Sequence, residues 1–383
     1  MKGMKNHIYG LDLIRFLAAL MVSAYHLGFR AWATPNDSLY GRLGMAPDLP
    51  SGWEYSWFGW IGVQVFFVLS GFVIAYTAEG ATPFEFVKSR VGRLVPAMWI
   101  GATLSAIILI YWNQTDNLGW LYAKSLVLFP IGPWLCGVYW TLGVEIAFYG
   151  LIFLLLCVDK FNRLQALTIS IGLLSMMFWL LIESGIIKDS HPRINQLLLL
   201  THGCYFALGT MFWLMYRRGV NWGRLMVCLL CIVTAFPQIA ATNAVEILSS
   251  YAHPASVVTP YAIWLGMVFL MGLSIMYSVP LASSLALVAP GIRQLGLATY
   301  PLYLVHYHVG GEAMILAHRA GWALDLSLAI GLITAVVVSL LIAVLLEPGL
   351  RRGLLNGLGL GALYLRNTAG NNIFLFRATE RLK

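Results

Sequence analysis

Two residues in the first apolar stretch, GLDLIRFLAALMVSAYHL, are of types that hydrocarbon tolerates only for a reason: Arg15 and His26. They stand eleven positions apart, and at about 100° per residue the second side chain returns to within about 20° of the first. Asp12, Arg15, Ala19, Val22 and His26 therefore form one stripe, with about 16 Å between arginine and histidine and only small side chains between them. A thin chain laid along that stripe would have its charged end held near Arg15 and its reactive end delivered to the imidazole of His26, a side chain suited to acid-base work. The plainer account has Arg15 reaching for headgroups and His26 sitting at the other interface.

Other apolar stretches carry groups that could join this chemistry. Glu145, in VYWTLGVEIAFYGL, lies well inside a span and needs a partner. In an alternating topology it comes to a depth similar to that of His26, which it could orient or merely satisfy. GWIGVQVFFVLSGFVI puts Gln64, Phe67 and Gly71 on one face with Ser70 beside the glycine, a pattern that also fits ordinary close helix packing. Lys88, Arg90 and Arg93 fall within six residues ahead of the third span, read here as a loop that either receives phosphate or reports only topology. GLATYPLYLVHYHVGGE places Thr299, Tyr303 and His306 on one face near Tyr300 and Tyr307, with His308 and Glu312 in its outer half.

The elements that position these residues must be membrane helices. Hydrophobic residues make up 60% of the 383, charged residues 10%, and mean hydropathy is +0.78. Ten spans can be drawn, about 10–29, 59–78, 94–112, 136–158, 165–183, 196–216, 223–241, 259–277, 296–316 and 324–346, each near the length that crosses about 30 Å of hydrocarbon. The predicted fold is thus an all-α polytopic bundle. Glu347-Pro348 is read as the end of the last span. The first span carries charge and no cleavage site follows it, so it is expected to be retained. A membrane-embedded domain over 1–350 would be followed by a basic tail, 351–383. With both termini cytoplasmic, seventeen Lys and Arg, from Lys2 and Lys5 through the tail, fall inside, against six outside. The net charge of +8 then follows from topology and anionic lipid, with no nucleic-acid partner implied.

The five cysteines read as small apolar residues, because Cys228 and Cys231 have no second pair or ligand cluster to make a metal site. His191, His202, His253 and His318 read as structural or interfacial. The long connection 30–58 carries Trp32, Pro35, Pro47, Pro50, Trp53 and Trp57, and its tryptophans suit headgroup anchoring or sugar stacking. Nothing in the sequence fixes an oligomeric state.

Taken in order, these patches resemble the acyltransferase 3 family of integral membrane acyltransferases, which O-acetylate bacterial surface polysaccharides, lipopolysaccharide O-antigens and Nod factors. Arg15 and His26 fit its R-x10-H signature; IGVQVFFVLSGFVI its glycine-to-SGF helix; Arg90, Arg93 and Pro96 its basic loop. Trp140, Leu142, Glu145 and Tyr149 fit its tryptophan-glutamate-tyrosine helix, and Tyr300, Tyr303, Leu304 and His306 its late Y-x2-Y-L-x-H helix. Gln64 stands where the family often has an acidic residue and Ser89 where a further arginine is common, and the 36 residues after Glu347 leave no room for an appended esterase-like domain.

The resemblance implies an enzyme of the bacterial inner membrane that moves an acyl group, acetyl foremost, from cytoplasmic acyl-CoA to a hydroxyl of an exported or lipid-linked glycan, with no metal. His26 would be the base or acyl carrier and Glu145 its orienting carboxylate. Arg15, Arg90 and Arg93 would hold the coenzyme A phosphates, while Ser70, Tyr300, Tyr303 and His306 would contact substrate. The rival is a proton-coupled transporter relaying protons through His26, Glu145 and His306, although no repeated halves support it.

Overall fold

The computed structural model describes residues 7–43, 49–250 and 256–359. Lys2, Lys5, Pro47, His253 and the expected tail beyond 359 lie outside the described residues. Every regular element among those described is helical.

Ten helices carry the architecture: α1 (Tyr9–Tyr25), α2 (Gly62–Ala78), α3 (Pro83–Tyr111), α4 (Trp140–Cys157), α5 (Leu164–Glu183), α6 (Gly203–Arg218), α7 (Trp222–Leu248), α8 (Val258–Met276), α9 (Ala289–Val305) and α10 (Leu324–Leu341). Two of them run on beyond these bounds through a π-helical turn that opens on a histidine. α1 continues over His26–Arg30 to Ala33, and α9 over His306–Gly310 to Arg319. Among the described residues, eight helical segments are long and apolar enough to cross a membrane, or nine if Ser278–Ser284 and Ala289–Arg319, bent by 117°, form one span. The expected span 196–216 is not a single helix. A short helix, Pro192–Leu197, ends before α6 begins, and the 16 residues of α6 extend only about 24 Å.

α6 is nonetheless central, with eleven residues buried and its longest contact along α2. Glycine makes that contact possible. A Cβ on Gly71 would lie 2.2 Å from the Phe206 carbonyl oxygen, and one on Gly209 would lie 1.8 Å from that of Val68. The small residues of the SGF stretch therefore let two backbones touch. Ser70, one position away, is turned instead toward α4.

Two boundaries differ from the sequence reading. Lys88, Arg90 and Arg93 are not on a loop: α3 starts at Pro83, where Thr82 and Glu85 form a reciprocal capping box, so the arginines ride the early turns of a 29-residue helix, three positions apart on one face. Nor does Pro348 end the last helix, which runs from Leu324 to Gly359. A π-helical turn over Ile342–Leu346 takes up the register change that the proline would otherwise force on a regular helix. The expected domain boundary at 350 falls inside this helix, and Arg351, though exposed, borders a cavity between the helices.

Candidate active site

Two cavities lie between the helices. The first, about 230 Å³, gathers Arg15 from α1, Ser70 from α2, Arg90 and Arg93 from α3, Glu145 and Tyr149 from α4, Tyr300 from α9 and Arg351 from the extension of α10. Four guanidiniums and one carboxylate line it, with Asp12 beside Arg15 and Glu347 near Arg93 and Arg351 just outside the lining, and the cationic balance that remains suits a polyanion. Glu145 is itself occupied: one of its oxygens accepts from Ser70 Oγ at 2.8 Å and from the Tyr149 hydroxyl at 2.7 Å. Arg15 has only a loose ion pair, 3.8 Å to Asp12, whose other oxygen lies 2.6 Å from His7. Arg90 leans on the rings of Phe86 and Tyr149, and its Nε is buried without a partner among the described residues. The hydroxyl of Tyr300 is likewise buried and unpartnered there. Arg93 and Arg351 make no hydrogen bond or ion pair among the described residues. This basic cavity thus holds donors and cations with unused capacity, beneath walls of Phe66, Phe67, Ile74 and Leu142.

The second cavity, about 540 Å³, contains His26. The proton positions on His26 and on His306, buried behind it, follow from their partners. His306 Nδ1 lies 3.2 Å from the Leu302 carbonyl oxygen and 2.9 Å from that of Tyr303, and carbonyls only accept, so this nitrogen carries a proton. In the neutral ring Nε2 is then an acceptor, and His26 Nδ1, 3.1 Å away, must supply the hydrogen between them. The Val22 carbonyl, 3.0 Å from the same His26 Nδ1, requires the same tautomer. His26 Nε2 is left with its lone pair and no partner among the described residues. A buried histidine that fixes the tautomer of another is the arrangement a general base needs.

Around His26 runs a polar belt. Arg30 Nε donates to Asp37 at 3.1 Å, and its Nη1 reaches both the Tyr25 hydroxyl and Glu246 at 3.1 Å. The Tyr25 hydroxyl donates to Glu246, and that of Tyr307 to Asp37 at 2.7 Å. The belt ties the π turn of α1, the connection after it, the end of α7 and the π turn of α9 into one rim. Its balance is opposite to that of the basic cavity, with two carboxylates to one arginine. Cys136, 2% exposed, also lines this space.

The two cavities share two residues, Val63 and Tyr303. The Tyr303 hydroxyl donates to the Val138 carbonyl at 2.8 Å and meets Thr141 Oγ1 at 2.9 Å, so its ring is fixed between them.

Every site residue expected from the sequence lies in or against these cavities, but not in the expected pairs. Glu145 belongs to the basic cavity with Ser70, whereas His26 is oriented by His306, so the expected pairing of His26 with Glu145 is not made. The reason is lateral: Glu145 faces α2 through Ser70, and depth alone could not reveal which neighbour a helix turns toward. The slot along α1 is also absent. Ala19, 1% exposed, packs against Leu302 and Ala335 and lines neither cavity. Sequence reasoning passed over Glu246, Asp37 and Arg30, and counted Arg351 only as a topology charge. Glu246 lies five residues beyond the predicted span 223–241, and only the continuation of α7 to Leu248 brings it to the site.

Residues 8–347 match a family described as acyltransferase domain. The chain is 24% identical over 360 residues to nodulation protein 10 of Rhizobium leguminosarum bv. viciae, covering 86% of this chain and 90% of that protein. It is also 28% identical over 199 residues to the putative membrane-bound transacylase BcsY of Komagataeibacter xylinus, 46% of this chain and 50% of that protein. No solved structure matches.

Proposed function

We propose, from the premise that this chain belongs to the acyltransferase-domain family, that it transfers an acetyl group from acyl-CoA in the basic cavity to a sugar hydroxyl in the histidine cavity. The observation carrying this reading is the meeting of the two cavities at Val63 and Tyr303. One side offers guanidinium forks for phosphates, and the other offers an imidazole nitrogen with an open lone pair. In this reading the arginines of α1, α3 and α10 bind the coenzyme A phosphates, and the thioester carbonyl reaches the aperture. His26 Nε2 takes the proton of the acceptor hydroxyl as its oxygen attacks the carbonyl carbon. The carbon–sulfur bond breaks, and the departing thiolate takes a proton from the imidazolium, directly or through water. His306 acts through His26 by holding its tautomer. Glu145, with Ser70 and Tyr149, acts on the donor side.

The acceptor in this reading is a glycan on the far side of a bacterial inner membrane, with both chain termini and the basic cavity cytoplasmic. The transporter reading gains no support: Glu145 is bonded to Ser70 and Tyr149, not to His26, so the three groups form no continuous relay.

The test uses purified protein in lipid nanodiscs. Thiol release from acetyl-CoA should depend on an added oligosaccharide, whose mass should rise by one acetyl group. Glycan-independent thiol release, or none with a broad panel of glycans, would overturn the assignment.

A further inference from the structure

We infer that Val63 sets the length of the acyl group this protein accepts, a reading that rests on the proposed function. Only two side chains belong to the walls of both cavities, and they differ in freedom. Tyr303 is 6% exposed, its hydroxyl is held by Val138 and Thr141, and its ring meets Phe66 edge-on at 5.9 Å. Val63 is partly exposed and makes no polar contact. Its backbone is nevertheless fixed, because Gly62 before it packs so closely on α1 that a Cβ there would lie 2.5 Å from the Ala18 carbonyl oxygen. A β-branched side chain on an immobile helix has essentially one rotamer. The partition that the two cavities share is therefore rigid, with a pinned ring and two methyl groups, and in the proposed function the gap that passes the acyl group lies between them.

Position along the path gives that gap its meaning. Tyr303 and His306 are one helical turn apart with ring centroids 5.9 Å from each other, and the His306 and His26 rings are 5.1 Å apart. A thioester whose carbonyl is brought to His26 must push its acyl group through the gap first, while pantetheine and phosphates stay behind among the arginines. Acetyl presents one methyl group. Longer chains present more methylenes to a gap that does not widen, and discrimination of at least about tenfold per unwanted methylene is the ordinary yield of a close-fitting wall. Gap width enters the transfer rate and leaves the phosphate contacts untouched.

The experiment compares acetyl-, propionyl-, butyryl- and hexanoyl-CoA with one glycan acceptor, using wild type, Val63→Ala and Val63→Leu, with thermal stability measured beside each. Wild type should favour acetyl over butyryl at least about a hundredfold in kcat/KM, tenfold for each of two methylenes. Val63→Ala should raise the butyryl-to-acetyl ratio at least fivefold, mainly through kcat and with little change in donor KM. Val63→Leu should lower the propionyl-to-acetyl ratio. Should Val63→Leu fail to fold, the Val63→Ala ratio decides alone. Ratios within twofold of wild type in every folded variant, with acetyl transfer intact, would overturn this inference and leave the proposed function standing. Absence of transfer from every acyl-CoA in wild type would overturn both.

Discussion

The basic cavity and the histidine cavity differ in the state of their charges. In the basic cavity the guanidiniums outnumber the carboxylates beside them, and Arg93 and Arg351, which share the nearby charge of Glu347, make no direct hydrogen bond or ion pair among the described residues. In the histidine cavity Arg30 is spent on Asp37 and Glu246, and every strong charge is already paired within the rim. Unpaired guanidiniums at the rim of an apolar space bind anions; a satisfied belt around a single open imidazole lone pair arranges a proton transfer. The difference separates binding from chemistry, and substitutions in the two regions should fail in different ways.

The largest effect belongs to His26. His26→Ala should lower kcat by about 10² to 10⁴, the span typical of a lost general base, while acetyl-CoA binding measured by calorimetry stays within twofold. Because the proton acceptor is the neutral ring, wild-type kcat should fall as pH is lowered through the range in which the imidazole takes up its second proton. A parallel loss of donor affinity in His26→Ala would break the separation of the cavities. The basic cavity should show the reverse pattern. Arg93→Ala should weaken acetyl-CoA binding by about 1.5–3 kcal/mol, roughly 10- to 100-fold, with the acceptor KM unchanged. Lysine at this position should restore only part, since a fork becomes a point charge. Arg351→Ala should cost less, because that residue is exposed and its charge is screened. His306→Phe should reduce kcat about tenfold by releasing the His26 tautomer, with Gln, which can still accept from His26 Nδ1, recovering much of it. Equal kcat for the Phe and Gln variants would show that His306 only fills space.

How much of this was legible in the sequence depended on whether a feature is periodic or lateral. Arg15 and His26 are related by helical spacing within one element, and both reach cavities. The helical fold class follows from composition and span length, forces that act along the chain. Which neighbour a residue faces is set by packing between helices, and there sequence reasoning failed: Glu145 turned to Ser70 and His26 to His306. The start of α3 was legible after the fact, since Thr82, Pro83 and Glu85 spell a capped helix start, but the hydropathy window begins only where the arginines end. Arg351 was obscured by Pro348, because a π turn that carries a helix past a proline leaves no mark in the sequence.

The smallest expected effect on catalysis is at Ala19, the position that separates the slot read from periodicity from the path through Val63 and Tyr303. If the donor arm ran along α1, a larger side chain at Ala19 would stand in its way and transfer would collapse. In the structure the Ala19 side chain packs against Leu302 and Ala335, with Phe16 and Leu20 flanking, so this contact closes the stripe between the two cavities. Ala19→Leu therefore inserts volume where α1, α9 and α10 pack, and overpacking of this kind costs about 1–3 kcal/mol. The expected result is a lowered melting temperature together with kcat and both KM values within about threefold of wild type for the protein that remains folded. Such a variant dissociates stability from activity, because α1 presents Arg15 to one cavity and Val22 and His26 to the other, while Ala19 between them lines neither. A collapse of kcat at unchanged melting temperature would restore the slot and place the donor arm against α1.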